Sequence, residues 1–208
     1  MDNGNIEVLI FDLGNVLVDF DHSIAAKRIS RFCDKTPQEI YDLFFASEAT
    51  VLFEEGKISP QDFYLKVKEM LNLRLEYDSF VPIWNEIFFL SAKNRAVFSL
   101  INKLRERYRT ALISNINFLH FEYLKKHFPV FGVFHNVFTS FELGAVKPDH
   151  AIYKRMLEIL RVPPEKAFYT DDRVELIESA KSLGMRGFPF ICVEQLKNDL
   201  LASGVNIN

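Results

Sequence analysis

The amino-acid sequence predicts an α/β protein: an open parallel sheet with helices on both faces, and a small all-α unit inserted after the first strand. Three observations predict it. Short apolar runs that end in small or acidic residues recur along the 208-residue chain, as buried parallel strands do. Segments with apolar residues at helical spacing stand between those runs, and strand–helix alternation is the pattern of a parallel sheet covered on both sides. The stretch from residue 21 to residue 91 breaks the alternation, because its pattern is helical throughout.

The first run, Val8-Leu9-Ile10-Phe11, ends at Asp12 and predicts a buried strand. The helical stretch follows. Thr36-Pro37-Gln38-Glu39 offers an N-cap, a proline at the first helical position and a glutamate at the third, the pattern of a capping box. Ser59-Pro60-Gln61-Asp62 repeats that device ahead of Phe63, Val67 and Met70, and Gly56-Lys57 reads as a turn between helices. Further on, Ala96 to Arg107 places Val97, Leu100, Ile101 and Leu104 on one helical face. Ala111-Leu112-Ile113 before Ser114 predicts the next strand, and Val137-Phe138 before Thr139-Ser140 another. Ile152, Met156, Leu157, Ile159 and Leu160 mark a helix that is over by Pro163-Pro164. Ala167-Phe168-Tyr169 runs into Thr170-Asp171-Asp172, and Val174 to Leu183 forms a helix closed by Gly184. Phe190-Ile191-Cys192-Val193 reads as the last strand. The predicted units are thus a sheet core of residues 1–20 and 92–208 and a helical unit of residues 21–91.

Composition agrees with a folded chain. Apolar residues make up 49% and charged residues 25%, which excludes general disorder. With 25 basic and 28 acidic residues the net charge is −3, so no broadly basic nucleic-acid surface is indicated. Two distant cysteines, Cys33 and Cys192, do not make a disulfide framework and are read as buried and inert. Met1 to Glu7 is polar without a basic n-region, and no apolar run reaches the roughly 18–20 residues that span a bilayer. The expectation is a cytoplasmic protein with no membrane partner, a monomer or weak dimer. Phenylalanine is over-used: 21 residues, nine of them from Phe20 to Phe89, in or beside the helical unit.

In an open parallel sheet, ligands bind outside the carboxyl ends of the strands. The polar residues that close the predicted strands are Asp12, Ser114 with Asn115, and Asp171-Asp172, while Lys147 lies in the loop between a later strand and its helix. Each has a plainer reading: Asp12 a loop residue, Asp149 an N-cap after Lys147-Pro148, the acidic pair a helix start. Together they suit phosphoryl transfer. Adjacent carboxylates repel, so Asp171 and Asp172 facing Asp12 require a cation, and Mg²⁺ accepts carboxylate and carbonyl oxygens while keeping waters. Asp12 can then attack phosphorus and form an aspartyl-phosphate. Ser114 can donate to a phosphoryl oxygen and Lys147 can supply a point charge. The Leu13-Gly14-Asn15 turn can aim backbone N–H groups at the same oxygens.

The residues that carry this chemistry also resemble a family. Asp12-Leu13-Gly14-Asn15-Val16-Leu17, Ile113-Ser114-Asn115, Gly144-Ala145-Val146-Lys147-Pro148-Asp149 and Tyr169-Thr170-Asp171-Asp172 resemble, in order, the four motifs of the haloacid dehalogenase-like hydrolases, over about residues 7 to 193. The resemblance implies a Rossmann-like core with a C1 cap, and is greatest to the branch of small cytosolic sugar-phosphate phosphatases that includes the α-D-glucose-1-phosphate phosphatases. It implies a Mg²⁺-dependent phosphatase acting on a small phosphate ester. Asp12 would be nucleophile and metal ligand, Gly14 would offer its carbonyl to the metal, and Asp172 would be the main acidic ligand with Asp171 second or through water. Leu13, Gly14, Ser114, Asn115 and Lys147 would hold the phosphate.

Three departures stand out. Most such phosphatases carry an acid–base aspartate two residues after the nucleophile, and here that residue is Gly14; this argues against a phosphomutase, which needs the acid twice per cycle. Arg173 and Leu176 replace small or amide residues, and Arg173 could reach substrate or pair with Asp171. Asn136 replaces an aspartate and is read as structural. His22, at the hinge after the first motif, is read as a solvated residue in preference to one that enters the site, and His120, His127, His135 and His150 as structural or surface. Phe20, Phe44, Phe45, Phe53, Phe88, Phe89 and Trp84 are read mainly as core. Glu54-Glu55-Gly56-Lys57 is read as a solvated turn, which in the family can also face the site. The alternatives are a 2-haloacid dehalogenase, which the acidic pair disfavours, and a non-catalytic binding protein on the same fold. A signalling receiver domain has similar residues in the wrong order.

Overall fold

A computed structural model describes residues 5–207, the side chains of residues 44–46 excepted. Strand β1, Val8–Phe11, is wholly buried and pairs in parallel with β4, Arg109–Ser114, on one side and with β6, Ala167–Asp171, on the other. Adding β5, Asn136–Thr139, and β7, Arg186–Pro189, gives a five-stranded parallel sheet of order β5-β4-β1-β6-β7.

The run Val8-Leu9-Ile10-Phe11 makes a central strand because its alternate residues feed two different cores. Leu9 and Phe11 join Leu112 and Phe168 on one face, under α6 (Ala92–Leu104), α7 (Phe118–His127) and α11 (Val193–Ala202). Val8 and Ile10 join Ala111, Ile113 and Tyr169 on the other, under α9 (His150–Leu160) and α10 (Val174–Ser182). Both faces are covered, as expected. Among the described residues no helix is long and apolar enough to cross a membrane.

Five helices follow β1: α1 (His22–Ile29), α2 (Pro37–Ala46), α3 (Glu48–Glu54), α4 (Pro60–Leu71) and α5 (Tyr77–Asn85). The capping boxes at Thr36/Glu39 and Ser59/Asp62 form as the sequence indicates. These helices bury a cluster of their own, in which Phe53 stacks on Phe63 at 4.5 Å and Phe63 meets Trp84 at 4.9 Å. Such ring pairs add about 0.5–1.5 kcal/mol each beyond the area they bury.

The structure departs from expectation in two places. The segment is not helical throughout: β2 (Asp19–Phe20) and β3 (Phe88–Phe89) form an antiparallel ribbon where the chain leaves and re-enters the sheet core. Two-residue strands leave no periodicity to read. Buried Asn94 of α6 ties this ribbon down, donating to Asp19 at 3.1 Å and to the Val16 carbonyl at 3.2 Å. The last strand is β7, four residues before the expected run. The short Leu183-Gly184-Met185 connection from α10 brings Arg186 level with Phe168. Phe190 gives only a terminal N–H to the Asp171 carbonyl at 2.8 Å, and Val193 already starts α11. Cys192 is consequently exposed, not buried, while Cys33 is buried.

Candidate active site

The carboxyl ends of β1, β4 and β6 lie side by side, and each delivers polar groups to one crevice. Asp12 extends the β1–β6 ladder by one bond, its N–H donating to the Thr170 carbonyl at 3.0 Å. The chain then turns tightly. Gly14 leaves no room for a side chain, since a Cβ there would lie 2.8 Å from the Phe20 ring. Asn15 adopts φ 54°, a left-handed conformation that asparagine tolerates better than most residues. Its strain is held from three sides: the N–H donates to the Val18 carbonyl at 2.7 Å, Lys93 donates to its carbonyl at 2.6 Å, and its side chain donates to Asp172 at 2.9 Å.

Lys147 stands at the centre. Its Nζ donates to Asp12 and to Asp171 at 2.6 Å each, and lies 3.3 Å from the Tyr169 hydroxyl and from the Ile113 carbonyl. The side chain is almost wholly buried. Its backbone is fixed by Asn115, which donates to the Lys147 carbonyl at 2.9 Å and accepts from the Lys147 N–H at 2.7 Å. Asp149 also caps α9, accepting from Ala151 at 2.8 Å, so the helix-start reading of that loop holds beside the chemical one. Asp171 is saturated: Oδ2 takes Lys147 and the Tyr169 hydroxyl, and Oδ1 takes the Arg173 N–H at 3.0 Å. Asp172 is less buried and its only protein donor among the described residues is Asn15. Ser114 is buried at the crevice, its Oγ 3.4 Å from the Asn115 carbonyl.

The charges do not balance. One ammonium faces three carboxylates, whose oxygens lie within 4.8 Å of one another. Burial pushes the Asp12 carboxyl up to about 7; Lys147 pulls it down and Asp171 pushes it up again. For Asp171, burial is overcome by Lys147 and Tyr169, and its carboxyl stays below the usual range. Burial and the neighbouring Asp171 raise Asp172, against the pull of Asn15. Burial alone would depress Lys147, but the two carboxylates hold it above the usual lysine value. A buried set of hard oxygen donors with surplus negative charge fits a small divalent cation such as Mg²⁺.

Two adjoining cavities meet over this crevice and share Gly14, Phe20, Ser114, Asn115 and Arg173. The inner one, of about 120 Å³, holds Asp12, Lys147, Asp171 and Asp172. The outer one, of about 240 Å³, lies between the sheet core and the helical insertion, with Glu54, His22, Trp84, Phe88, Asn117 and His120 in its walls. His22 is not a solvated hinge: its ring packs on Phe20 at 5.0 Å, and burial lowers its pKa to about 4. His120 is buried and neutral. The Asn117 carbonyl oxygen accepts the His120 N–H, so its amide group donates to Nδ1 at 3.1 Å and leaves Nε2–H to donate to the Trp84 carbonyl at 3.1 Å. Burial lowers its pKa to about 3. Arg173 pairs with Glu175 through its guanidinium, and reaches Asp171 only through its backbone. Asn136 is structural, accepting from Arg109 at 3.0 Å. Phe53 and Trp84 are core as expected and Phe20 and Phe88 pack against that core, but Phe89 is exposed at the ribbon edge, and the Phe44 and Phe45 side chains lie outside the described residues.

Sequence reasoning did not single out Asn15, Asn117 or Tyr169, and left Glu54 as a turn residue. The Asn15 signal was present, since an asparagine after glycine in a tight turn is a left-handed candidate. The others depend on contacts distant in sequence.

This fold and crevice define a class, and residues 6–184 match the family model of the haloacid dehalogenase-like hydrolases. The chain belongs to that family and is a hydrolase. Among curated relatives it is similar to a D-ribitol-5-phosphate phosphatase of Bacteroides thetaiotaomicron, with 24% identity over 88% of this chain and 91% of that one. It is also similar to a sesquiterpene phosphatase of Aspergillus oryzae, with 24% identity over 86% of each. A crystal structure of a B. thetaiotaomicron family enzyme in complex with magnesium and inorganic phosphate superposes with a TM-score of 0.80 and 26% identity, over 91% of this chain and 96% of that one.

Proposed function

We propose that this chain is a Mg²⁺-dependent phosphatase that hydrolyses a small phosphate monoester, a sugar or polyol phosphate, through an aspartyl-phosphate on Asp12. The observation that carries the reading is Lys147 held 2.6 Å from both Asp12 and Asp171, with Asp172 in the same oxygen cluster. Named phosphatases among its relatives, and the magnesium and phosphate bound by a structural neighbour, support it. The outer cavity, at about 240 Å³, is smaller than the roughly 300–1,000 Å³ of drug-sized sites, which favours a compact substrate.

Asp12 and Asp172, with the Gly14 carbonyl, would hold the metal and Asp171 would reach it through water; the metal when bound supplies positive charge to the phosphate and keeps Asp12 ionised. The ionised Asp12 oxygen attacks phosphorus and the alcohol leaves. Lys147 faces the transferring group with a fixed charge. Asp171, itself buried and fully engaged, positions that ammonium. Ser114 and the N–H groups of the Leu13–Asn15 turn and of Asn115 hold the phosphoryl oxygens. Water then hydrolyses the aspartyl-phosphate. Residues 21–91 act as a cap whose closure excludes bulk water from the first step.

The test is hydrolysis of p-nitrophenyl phosphate with and without Mg²⁺, by wild type and Asp12→Asn. Turnover should require Mg²⁺, and should fall by about 10⁴–10⁶-fold in the variant, as loss of a covalent nucleophile does elsewhere. Absent or metal-independent turnover by the wild type sinks the reading. A panel of sugar and polyol phosphates then ranks substrates.

A further inference from the structure

Alcohol release requires a proton, and the turn beside the nucleophile has none to give. Gly14 occupies the second position after Asp12, and the Phe20 ring fills the space that a side chain would take. A donor must therefore come from elsewhere in the cavity. Lys147 is bound between two carboxylates, and the Arg173 guanidinium is never deprotonated in proteins. The hydroxyls of Thr50 and Ser114 are too weakly acidic. His120 is a neutral imidazole with both nitrogens engaged, and His22 is neutral too.

Glu54 is the remaining acid in the walls of the outer cavity, whose floor of Gly14, Ser114 and Asn115 is shared with the inner one. It is the last residue of α3, and the turn after it is clamped onto the sheet core. Gly56 has φ +67°, and a Cβ there would lie 2.4 Å from the Phe141 carbonyl oxygen of α8 (Ser140–Leu143). That close seat holds the end of α3 over the strand ends. The Glu54 carboxyl makes no hydrogen bond or ion pair among the described residues. Its neighbours are otherwise committed: Glu55 pairs with Lys57 at 2.8 Å, Glu142 of α8 accepts from Thr139 at 2.6 Å, and Arg173 pairs with Glu175.

We propose, resting on the phosphatase reading above, that Glu54 is the general acid and base that replaces the missing aspartate. As Asp12 Oδ bonds to phosphorus, the P–O(alkyl) bond breaks and its electron pair stays on the leaving oxygen. That oxygen takes the Glu54 proton, giving alcohol, aspartyl-phosphate and a Glu54 carboxylate. Water then attacks phosphorus, its proton passes to Glu54, and the bond to Asp12 breaks with the pair returning to the carboxylate. Phosphate leaves and both residues are restored. The required resting state is protonated, and burial holds the Glu54 carboxyl up at about 7 against the opposing pull of Arg173 and Lys147.

Leaving-group dependence tests this. Nitrophenolate leaves without a proton, whereas an alkoxide does not. For Glu54→Gln, kcat should fall on every ester because water attack on the aspartyl-phosphate loses its base, whereas kcat/KM, which ends at leaving-group release, should fall far less on p-nitrophenyl phosphate than on an alkyl ester. On the best alkyl phosphate of the panel kcat/KM should fall by about 10²–10⁴-fold, the usual worth of general acid catalysis. Across substituted aryl phosphates the variant's rates should depend more steeply on leaving-group pKa. Equal losses of kcat/KM on both esters, or no loss of it on the alkyl ester, overturn the assignment, because a structural role moves all esters together. Melting curves verify folding, and Glu54→Ala carries the same comparison should the glutamine variant not fold. A wild type inactive on every phosphate ester would instead sink the phosphatase reading itself.

Discussion

In the sheet core, one ammonium stands 2.6 Å from each of two carboxylates at the ends of adjacent strands. In the helical insertion, Phe53 stacks on Phe63 at 4.5 Å and Phe63 meets the tilted ring of Trp84 at 4.9 Å, with every ring buried. The first region holds its side chains by charge and keeps a surplus of negative charge; the second holds them by area and dispersion. The difference teaches where chemistry can reside. Charges placed in a buried crevice are costly until something neutralises them, so the sheet end should respond to a divalent cation and to pH. The rings of Phe53, Phe63 and Trp84 carry no group that titrates, and give the insertion shape alone. The reactive groups the insertion supplies lie at its rim, as Glu54 does.

Removing Lys147 should break the first region most sharply. Lys147→Met leaves Asp12 and Asp171 buried without their cation, a loss on the order of 3–5 kcal/mol. Saturating Mg²⁺ should return part of it, because the same carboxylates then bind metal. Urea unfolding with and without Mg²⁺ measures both. Trp84→Ala, which opens a cavity in the second region, should cost a similar ~3–5 kcal/mol. There, Mg²⁺ should stabilise variant and wild type by the same increment. If Mg²⁺ rescues both variants alike, the two regions do not differ as described.

What was legible in the sequence follows the same division. Asp12, Ser114, Asp171 and Asp172 could be placed because each ends a short apolar run, and strand ends on one edge of a parallel sheet converge. Lys147 was found by its loop. The partners of these residues were not legible. That Asn15 reaches Asp172, Asn115 clamps the Lys147 backbone and Tyr169 bonds Asp171 depends on distances no local pattern encodes. Glu54 was set down as part of a solvated turn because charge runs usually are solvated. The seat of Gly56 against the Phe141 carbonyl, which brings that turn to the sheet core, is a contact distant in sequence. The ribbon of β2 and β3 is too short to leave a pattern, and the three-residue connection that starts β7 at Arg186 is less conspicuous than the apolar run from Phe190.

Acidity gives a finer comparison, since the groups around the cavity pull in opposite directions. His22 and His120 have folded values of about 4 and 3, below the 6.5 of a free imidazole. The unfolded chain therefore binds the extra protons, and their contribution is intact above about pH 6.5 and lost as pH falls. Glu54 and Asp12, raised to about 7, behave oppositely: the folded state binds the extra proton, and stability is lost as pH rises from 4 towards 7. Between pH 4.5 and 6.5 the two effects oppose. Glu54→Gln removes one opposing group, so the slope of stability against pH should become more positive, by up to about 1.4 kcal/mol per pH unit. Urea midpoints at pH 5 and 6.5 read it, and an unchanged slope would mean that Glu54 is not desolvated.

The smallest expected effect asks whether the two regions are separate cooperative units. Ser59 caps α4, accepting from the Asp62 N–H at 3.1 Å, and α4 presents Phe63, Tyr64, Val67 and Leu71 to the aromatic cluster. Ser59→Ala should cost about 1 kcal/mol, the usual loss of a side-chain N-cap. Native-state hydrogen exchange shows where that loss appears. If the insertion opens by itself, amides of α4 and α5 exchange roughly fivefold faster, as ~1 kcal/mol requires, while those of β1 and β4 keep their rates. If the strand amides accelerate by the same factor, insertion and sheet unfold together. Glu54 would then be held over the crevice by global stability, and an insertion that unfolds independently of the sheet would be excluded.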